Sequence, residues 1–260
     1  MLESVLELEH RLELDGIART LLHRRPAIVF TGAGISTESG IPDYRGPSGL
    51  WKKTAPTGYR DFLNDPEARV RYWERRRERY PQLKAKEPNV GHLAVKQLVE
   101  LDLVSTVITQ NIDGLHQKAG VTDDRIIELH GTSHQIRCLD CRTVYPADSN
   151  HIDISKRIPT CPECSGVLKE ATISFGEPLI EEDLRRALAL AGEAGSMLVI
   201  GSSLTVNPAS RVPLVAARAG ASLSIINNEP TPLDRYAEHI VRVSAGAALS
   251  YLSRQILAEA

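Results

Sequence analysis

The stretch TGAGISTESGIPDYRG, Thr31 to Gly46, follows a short apolar run, Ala27 to Phe30. An apolar strand that runs into a glycine-rich turn is typical of phosphate binding, because backbone N–H groups and the helix dipole attract an anion there. The stretch then continues with Ile-Pro-Asp-Tyr-Arg, which a phosphate loop alone does not require. Gly32 and Gly34 match the start of the GxGxxG dinucleotide pattern, but Thr37 occupies the third glycine position. The turn is therefore either a structural tight turn or a dinucleotide site of another arrangement.

The composition is that of an ordinary globular protein. The 260 residues are 42% hydrophobic and 25% charged, and the formal net charge of −2 gives no general attraction to nucleic acid. No apolar run approaches the roughly 20 residues of a membrane span, and the acidic N-terminus has no apolar signal core. We therefore expect a cytoplasmic protein with no nucleic-acid partner and no membrane contact.

Short apolar runs alternate with helical patterns along the chain. Strands are predicted at 27–31, 104–109, 125–129, 197–201 and 222–226, and helices at 3–24, 66–80, 90–101 and 208–219. Residues 41–65 are predicted to form a loop, and six arginines between residues 69 and 79 are predicted to lie on a solvated helix face. This alternation predicts an α/β fold with a Rossmann-like parallel sheet, whose ligands bind outside the carboxyl ends of the strands.

Four cysteines have the spacing of a zinc site. Cys138-x2-Cys141 and Cys161-x2-Cys164 are two pairs separated by 19 residues. In a reducing compartment such pairs favour metal over disulfides. Four thiolates fill a tetrahedral shell and leave no open position, so the expected zinc ion is structural. The alternative is four unrelated reduced cysteines.

Polar residues follow two of the predicted strands. His130 ends the strand at 125–129 and is a candidate base, because the unperturbed pKa of imidazole is close to neutral. Its rivals are His92, His116 and His134. TQNIDGLH, at the end of another strand, supplies amide and carboxylate groups that either hold ribose and carboxamide or cap the next helix.

These pieces together resemble the sirtuins, the NAD-dependent protein-lysine deacylases. The motifs, in order, are GAGISTESGIPDYRG, TQNIDGLHQKAG, ELHGT, the two CxxC pairs, SFGE, GSSLTVNP and NNEP. The resemblance covers about residue 15 to the C-terminus. It implies a Rossmann-like large domain at about 1–42, 81–135 and 172–260. It also implies a smaller domain that combines a helical and cofactor-loop insertion at about 43–80 with a zinc module at about 136–171.

The reaction that the resemblance implies consumes NAD. The acyl group of a lysine passes to the ribose, which gives nicotinamide, O-acyl-ADP-ribose and free lysine. His130 is the implied base on the ribose hydroxyls and Asn111 a second catalytic residue. One zinc ion per chain holds the small domain and stays out of the reaction.

The resemblance also implies a set of NAD contacts. These are Gly32, Ala33 and Gly34 at the pyrophosphate; Ile41, Asp43, Tyr44 and Arg45 in the loop around nicotinamide; Gln110, Asn111, Ile112 and Asp113 at nicotinamide and ribose; Gly201, Ser202 and Ser203 at phosphate and ribose; and Asn227, Glu229 and Ala245 at the adenosine.

The implied substrate is an acylated-lysine peptide bound as an extended strand between SFGE and TVNP, which is β-strand addition. The contacts implied are Ile173, Phe175, Gly176, Glu177 and Val206. In LKEATISFGE, Glu170 stands where the family commonly has proline. This departure predicts an acyl-lysine entrance of different shape and charge.

Trp73 and Arg76 match the helical positions at which sirtuins with a preference for acidic acyl groups carry Tyr-x-x-Arg. An arginine alone can pair with a carboxylate. Together with STESGIPDYR and YPQ, this helix resembles the class II sirtuins and predicts a preference for longer acyl groups. The alternative is a general deacetylase whose helix only covers the core.

Two other functions stay open. One is a mono-ADP-ribosyltransferase that uses the same NAD site, and the other is a non-enzymatic NAD-sensing module. His130, Asn111 and Asp113 together favour catalysis, because binding alone does not need a base. The oligomeric state is not predicted.

Overall fold

The structure is a computed structural model that describes residues 6–43, 49 and 56–259. The helices, in chain order, are α1 (Leu8–His23), α2 (Tyr59–Asn64), α3 (Pro66–Lys84), α4 (Val90–Glu100), α5 (Leu115–Ala119), α6 (Glu181–Glu193), α7 (Arg211–Ala219) and α8 (Ala245–Glu259). The strands are β1 (Ala27–Thr31), β2 (Val104–Thr109), β3 (Ile126–Glu128), β4 (Gly131–Cys138), β5 (Val144–Pro146), β6 (Leu168–Thr172), β7 (Ser196–Ile200), β8 (Ser222–Ile226) and β9 (His239–Val241).

Six parallel strands form the large sheet in the order β3-β2-β1-β7-β8-β9. Every residue of β1, β7 and β8 is buried. Strands covered on both faces of a sheet are rich in apolar side chains, which explains the apolar runs in β1 and β7, whereas β8 buries Ser222 and Ser224 among its apolar residues. The five predicted strands are confirmed to within one or two residues. The edge strand β9 was not predicted, because three residues give too short a pattern.

Helices cover both faces of this sheet. On one face α1, α4 and α8 contribute Leu14, Leu98 and Leu252 to the core, and on the other α6 and α7 contribute Ala187 and Val212. This three-layer arrangement confirms the predicted Rossmann-like fold. The helices α6 and α8 had not been predicted.

The predicted loop at 41–65 was wrong over residues 59–64, which form α2. Phe62 of this helix is fully buried, so tertiary burial stabilises a helix too short to form alone. The next helix begins with Asp65 as N-cap and Pro66 at its first position. It runs past its predicted end to Lys84 and contains Pro81.

A smaller antiparallel sheet, in the order β5-β4-β6, holds the cysteine segment. Trp73 of α3 packs against it in a cluster with Ile136, Tyr145 and Leu168. The prediction that the arginines of α3 are solvated was wrong for Arg76, which is 2% exposed. Its guanidinium lies 4.4 Å from the Tyr80 ring centroid, because the helix face that carries Trp73 turns Arg76 inward as well.

The division into large and small domains stays a prediction. Strand β4 crosses its boundary at residue 135. Among the described residues, no helix combines the length and the apolar character that crossing a membrane requires.

Candidate active site

The large sheet has one switch point, between β1 and β7. The chain proceeds from β1 to β2 and β3 on one side, and from β7 to β8 and β9 on the other. The connections after β1 and β7 therefore lead to opposite sides of the sheet, and at such a switch point an open α/β sheet has its ligand-binding crevice outside the carboxyl ends of the strands. Gly32 and Gly201 directly follow these two strands.

Glycine is required where these two loops meet. The N–H of Gly34 donates to the carbonyl of Gly201 at 2.8 Å. A Cβ on Gly34 would lie 2.6 Å from Cα of Gly201, and one on Gly201, whose φ is +62°, would lie 2.4 Å from the nitrogen of Ile35. The loops thus present backbone rather than side chains, which suits close approach of a phosphate. The segment Ala33–Ser39 is a short 3₁₀ helix.

The amides and carboxylate predicted from TQNIDGLH converge on this crevice. Asn111 donates from Nδ2 to the carbonyl of Gly32 and to Oγ of Ser36, each at 3.2 Å. Oγ of Ser36 donates to Oδ2 of Asp113 at 2.7 Å. Gln110 donates from Nε2 to Oγ of Ser202 at 2.7 Å and so joins the loop after β2 to the loop after β7.

Two buried histidines support this network in their neutral form. Nε2 of His92 lies 3.4 Å from Oγ of Ser36, and Nε2 of His116 lies 3.0 Å from Oγ1 of Thr31. Burial lowers the pKa of His92 to about 4 and that of His116 to about 3. Both rings are at most 1% exposed, so in this conformation neither can contact a substrate.

His130 is half-buried at the crevice, next to the start of β4. Its Nδ1 lies 2.9 Å from the carbonyl of Gln110. A carbonyl only accepts, so Nδ1 carries the proton and the neutral ring has its lone pair on Nε2. This is the tautomer that a base needs. Gly131 has φ of +68°, and a Cβ there would lie 2.0 Å from the carbonyl oxygen of Ala171, so the backbone next to His130 lies tightly against β6.

The predicted peptide loop follows β6 directly. The N–H of Ile173 donates to the carbonyl of His130 at 2.8 Å. Glu177, predicted as a substrate contact, is instead engaged within the protein: its carboxylate accepts from Arg137, from Lys169 at 3.0 Å and from the N–H of Ser174 at 2.9 Å. Its side chain is 4% exposed, so in this conformation it shapes the loop.

The other predicted peptide residues are more accessible. Phe175 is 44% exposed, Gly176 is exposed with φ of +81°, and Ile173 and Val206 are half-buried. Their contacts with a substrate stay predictions.

Trp73 and Arg76 lie on the buried face of α3 and not at an open surface. Trp73 is 0% exposed, and Nε of Arg76 lies 3.9 Å from Oε1 of the equally buried Glu170. Oε2 of Glu170 accepts from Arg79 at 2.8 Å. In this conformation a carboxylate-ended acyl group would have to displace Glu170 to reach Arg76. The assignment of this pair to acyl selection stays a prediction.

The remaining predicted NAD contacts lie around the same edge. Ile41 and Asp43 are half-buried beyond the 3₁₀ helix, whereas Tyr44 and Arg45 lie outside the described residues. The others are Ala33, Ile112 and Ser203 in the three loops, Asn227 and Glu229 after β8, and Ala245 at the start of α8.

Sequence reasoning missed the supporting residues Ser36 and Thr31. Both lie within the glycine-rich stretch and are fully buried. A buried hydroxyl needs a partner, but the pattern of the stretch does not reveal which partner the fold supplies.

The four cysteines meet in the small module. Sγ of Cys138 lies 3.5 Å from Sγ of Cys164, and Sγ of Cys141 lies 3.7 Å from Sγ of Cys161. All four sulfurs lie within 4.8 Å of one another. Tetrahedral zinc with Zn–S bonds of about 2.3 Å sets sulfurs about 3.8 Å apart, so the cluster fits one structural zinc ion.

The fold and this edge define a class: a Rossmann-like protein with a dinucleotide crevice and a four-thiolate module. Residues 32–208 match the Sir2 family. An NAD-dependent protein deacetylase of Caldivirga maquilingensis is 45% identical over 91% of each chain. NAD-dependent protein deacylase 2 of Archaeoglobus fulgidus is 40% identical over 94% of this chain and 96% of its own. The chain belongs to the Sir2 family, that of the sirtuins.

Solved structures agree with this assignment. A structure of a Sir2 protein with a p53 peptide and NAD⁺ is 33% identical, has a TM-score of 0.81 and covers 94% of this chain and 97% of that one. Another Sir2 enzyme structure is 37% identical with a TM-score of 0.83, over 96% of this chain and all of the other.

Proposed function

We propose that this protein removes acyl groups from protein lysines in an NAD-dependent reaction, with His130 as the base. The products are nicotinamide, O-acyl-ADP-ribose and free lysine. The observation that carries the proposal is the tautomer of His130, whose Nδ1–H is held by the carbonyl of Gln110 beside the crevice. NAD supplies the ribose carbon that receives the acyl oxygen.

The chain's own groups hold the reactants. The interlocked loops at Gly34 and Gly201 have no side chains where they touch, so the pyrophosphate can approach their backbone closely. Asn111 and Asp113 face the ribose and nicotinamide, and the neutral histidines behind them keep this network in one arrangement. Nε2 of His130 accepts a proton from the ribose hydroxyls, which is general-base catalysis.

The substrate peptide adds as an extended strand between residues 174–177 and 205–208. The bond between Ile173 and His130 supports this placement, because it brings one flank of the peptide next to the base. Main-chain bonds then give affinity with little demand on the peptide sequence.

The acyl preference includes longer groups, and acetyl is accepted as well. A panel of one peptide with acetyl, succinyl, lipoyl and myristoyl lysine measures it as kcat/KM. A tenfold excess of acetyl over all others, about 1.4 kcal/mol, would make the protein a general deacetylase instead.

His130→Ala tests the reaction itself. We expect kcat/KM on an acyl-lysine peptide to fall about 10²–10⁴-fold, the usual contribution of a base, while NAD still binds in calorimetry. A near wild-type rate would contradict the role of His130.

Labelled NAD separates the other functions. Release of nicotinamide with O-acyl-ADP-ribose supports deacylation, label on protein indicates ADP-ribosyl transfer, and no turnover indicates a binding module. Location in the cytoplasm and the two-domain division are part of the same proposal, and fractionation and limited proteolysis test them.

A further inference from the structure

The loop Gln110–Gly114 carries the predicted nicotinamide and ribose contacts, and the start of β4 holds it. The N–H of Ser133 donates to the carbonyl of Ile112 at 3.0 Å. One residue later, Nε2 of His134 lies 2.8 Å from the carbonyl of Asp113. Two consecutive residues of β4 thus bind two consecutive carbonyls of the loop.

The bond from His134 has a fixed direction. A carbonyl oxygen only accepts, so Nε2 carries the hydrogen. The neutral ring with the proton on Nε2 donates this bond, and so does the protonated ring. His134 therefore acts as a hydrogen-bond donor to the loop.

Packing holds the ring in place on two sides. Gly114 has φ of +68°, and a Cβ there would lie 2.7 Å from Cδ2 of His134, so the ring lies directly on the loop backbone. On its other side the ring meets Tyr80 of α3 edge-on, with centroids 5.8 Å apart at 66°. His134 therefore joins the loop Gln110–Gly114 to helix α3.

The same helix is tied to the peptide side of the site. The Tyr80 ring also contacts the guanidinium of Arg76, and Arg76 faces Glu170 of β6. Strand β6 leads to Ile173, which bonds to His130. His134 thus links α3 to the loop Gln110–Gly114. In the same way, Glu170 links α3 to β6, the strand that leads to the predicted peptide loop.

We propose that His134 is a positioning residue for NAD: by donating to the carbonyl of Asp113, it holds Asn111 and Asp113 in the geometry that the cofactor needs. The inference rests on the proposed function only in taking this loop as an NAD contact.

Two substitutions separate the donor from the shape of the ring. His134→Gln keeps an N–H at about the reach of Nε2, whereas His134→Phe keeps a flat ring against Tyr80 and Gly114 but has no donor. Removing the donor leaves this half-buried carbonyl without its hydrogen bond. We expect this to weaken the NAD binding that the loop supports by about a factor of ten. We expect His134→Phe to raise the Kd of NAD about tenfold, and His134→Gln to stay within about threefold of the unmodified protein.

Calorimetry of NAD binding to the zinc-loaded protein gives the main readout. KM for NAD should follow the Kd, and the Kd of the acyl peptide measured without NAD should stay unchanged. His151→Phe, at an exposed histidine of the zinc segment, is the control for a histidine-to-phenylalanine change. Should His134→Phe fail to fold, His134→Leu replaces it.

Equal NAD affinities of the Gln and Phe variants would overturn the proposal, whether both are weakened or both unaffected. An equal loss would indicate a general effect on stability, and a loss in the Gln variant alone would indicate that the shape of the ring matters and would overturn the proposal as well. Turnover of the unmodified protein is measured in parallel. If that turnover is absent, the proposed function fails, while the comparison of NAD affinities still decides the role of His134.

Discussion

The cofactor edge of the large sheet and the small module with α3 are held together by different interactions. At the cofactor edge, Asn111, Ser36 and the neutral His92 and His116 form a network that includes the carboxylate of Asp113. In the small module, four thiolates meet within 4.8 Å, and the buried Glu170 and Lys169 have charged partners.

The difference follows from the size of the cores. The large sheet has an extensive apolar cluster on each face, and these clusters fix the positions of its strands. The small module has one limited cluster around Trp73 and Ile136, and small cores need metal or other cross-links to be stable. The network around Asn111 can therefore consist mostly of neutral groups, whereas the small module depends on charge compensation.

Loss of zinc should break the small module first. Cys161→Ser removes a buried ligand, and structural zinc contributes about 10–16 kcal/mol in zinc-finger peptides. We expect the Tm to fall by about 10 °C or more, with less than one zinc per chain by elemental analysis. Glu163→Gln, an exposed change between two ligands, should alter neither quantity. Folded, active Cys161→Ser protein without zinc would contradict the structural role.

Glu170→Gln should be the next largest change. Glu170 and Arg76 are each 1% exposed in their side chains, so neutral glutamine leaves a buried guanidinium without its counter-ion. Breaking a buried pair in this way costs about 3–5 kcal/mol. Urea unfolding measures the loss. The matched control is Asp148→Asn, whose pair with Lys84 is more than half exposed and contributes at most about 1 kcal/mol. Equal losses would mean that burial does not distinguish the two pairs.

Acid should weaken the cofactor edge. The pKa values of His92 and His116 lie at about 4 and about 3, below the 6.5 of an ordinary histidine. Between these values the unfolded chain binds more protons than the folded one, so the free energy of unfolding falls as the pH drops below about 6.5. From pH 7 to pH 5 the loss is about 2 kcal/mol for each histidine.

Urea titrations at the two pH values test this. On acidification, the free energy of unfolding of His116→Asn should fall by about 2 kcal/mol less than that of the unmodified protein. That of His151→Asn, a change at an exposed position, should fall by as much as that of the unmodified protein. Identical losses in all three proteins would show that His116 is not buried in its neutral form.

The smallest expected effect is on stability, when alanine replaces a single glycine at the cofactor edge or at an exposed helix position. Gly201→Ala forces a side chain into φ of +62° and against Ile35, which should cost about 1–3 kcal/mol and weaken NAD binding. Gly192→Ala in α6 meets nothing within 4 Å and should stabilise the protein by about 0.5–1 kcal/mol. Thermal unfolding compares them, and a stabilising Gly201→Ala would contradict the interlocked loops.

Much of the fold and site could be predicted from local patterns. The strand at 27–31 has four apolar residues in succession, which suits burial on both faces, and the strand at 222–226 has the apolar residues Leu223, Ile225 and Ile226. The zinc site follows from cysteine spacing because each CxxC pair brings its own two ligands together. The helix at 59–64 and the three-residue β9 were not predicted, because segments so short are stabilised by the tertiary structure and not by their own pattern.

The sequence by itself determined which groups are present: glycines after β1, amides after β2, a histidine before β4 and two pairs of thiols. Only the tertiary structure decided which of them are neutral, buried or available. His116 and His130 are the same residue type in neighbouring motifs, yet one lies 1% exposed beneath Thr31 and the other lies half-buried at the crevice. Arg76 and Arg71 lie on one helix, yet Arg76 is buried beside Glu170 whereas Arg71 is exposed. The physical reason is that burial and charge compensation depend on neighbours distant in the chain, which residue type and local spacing do not specify.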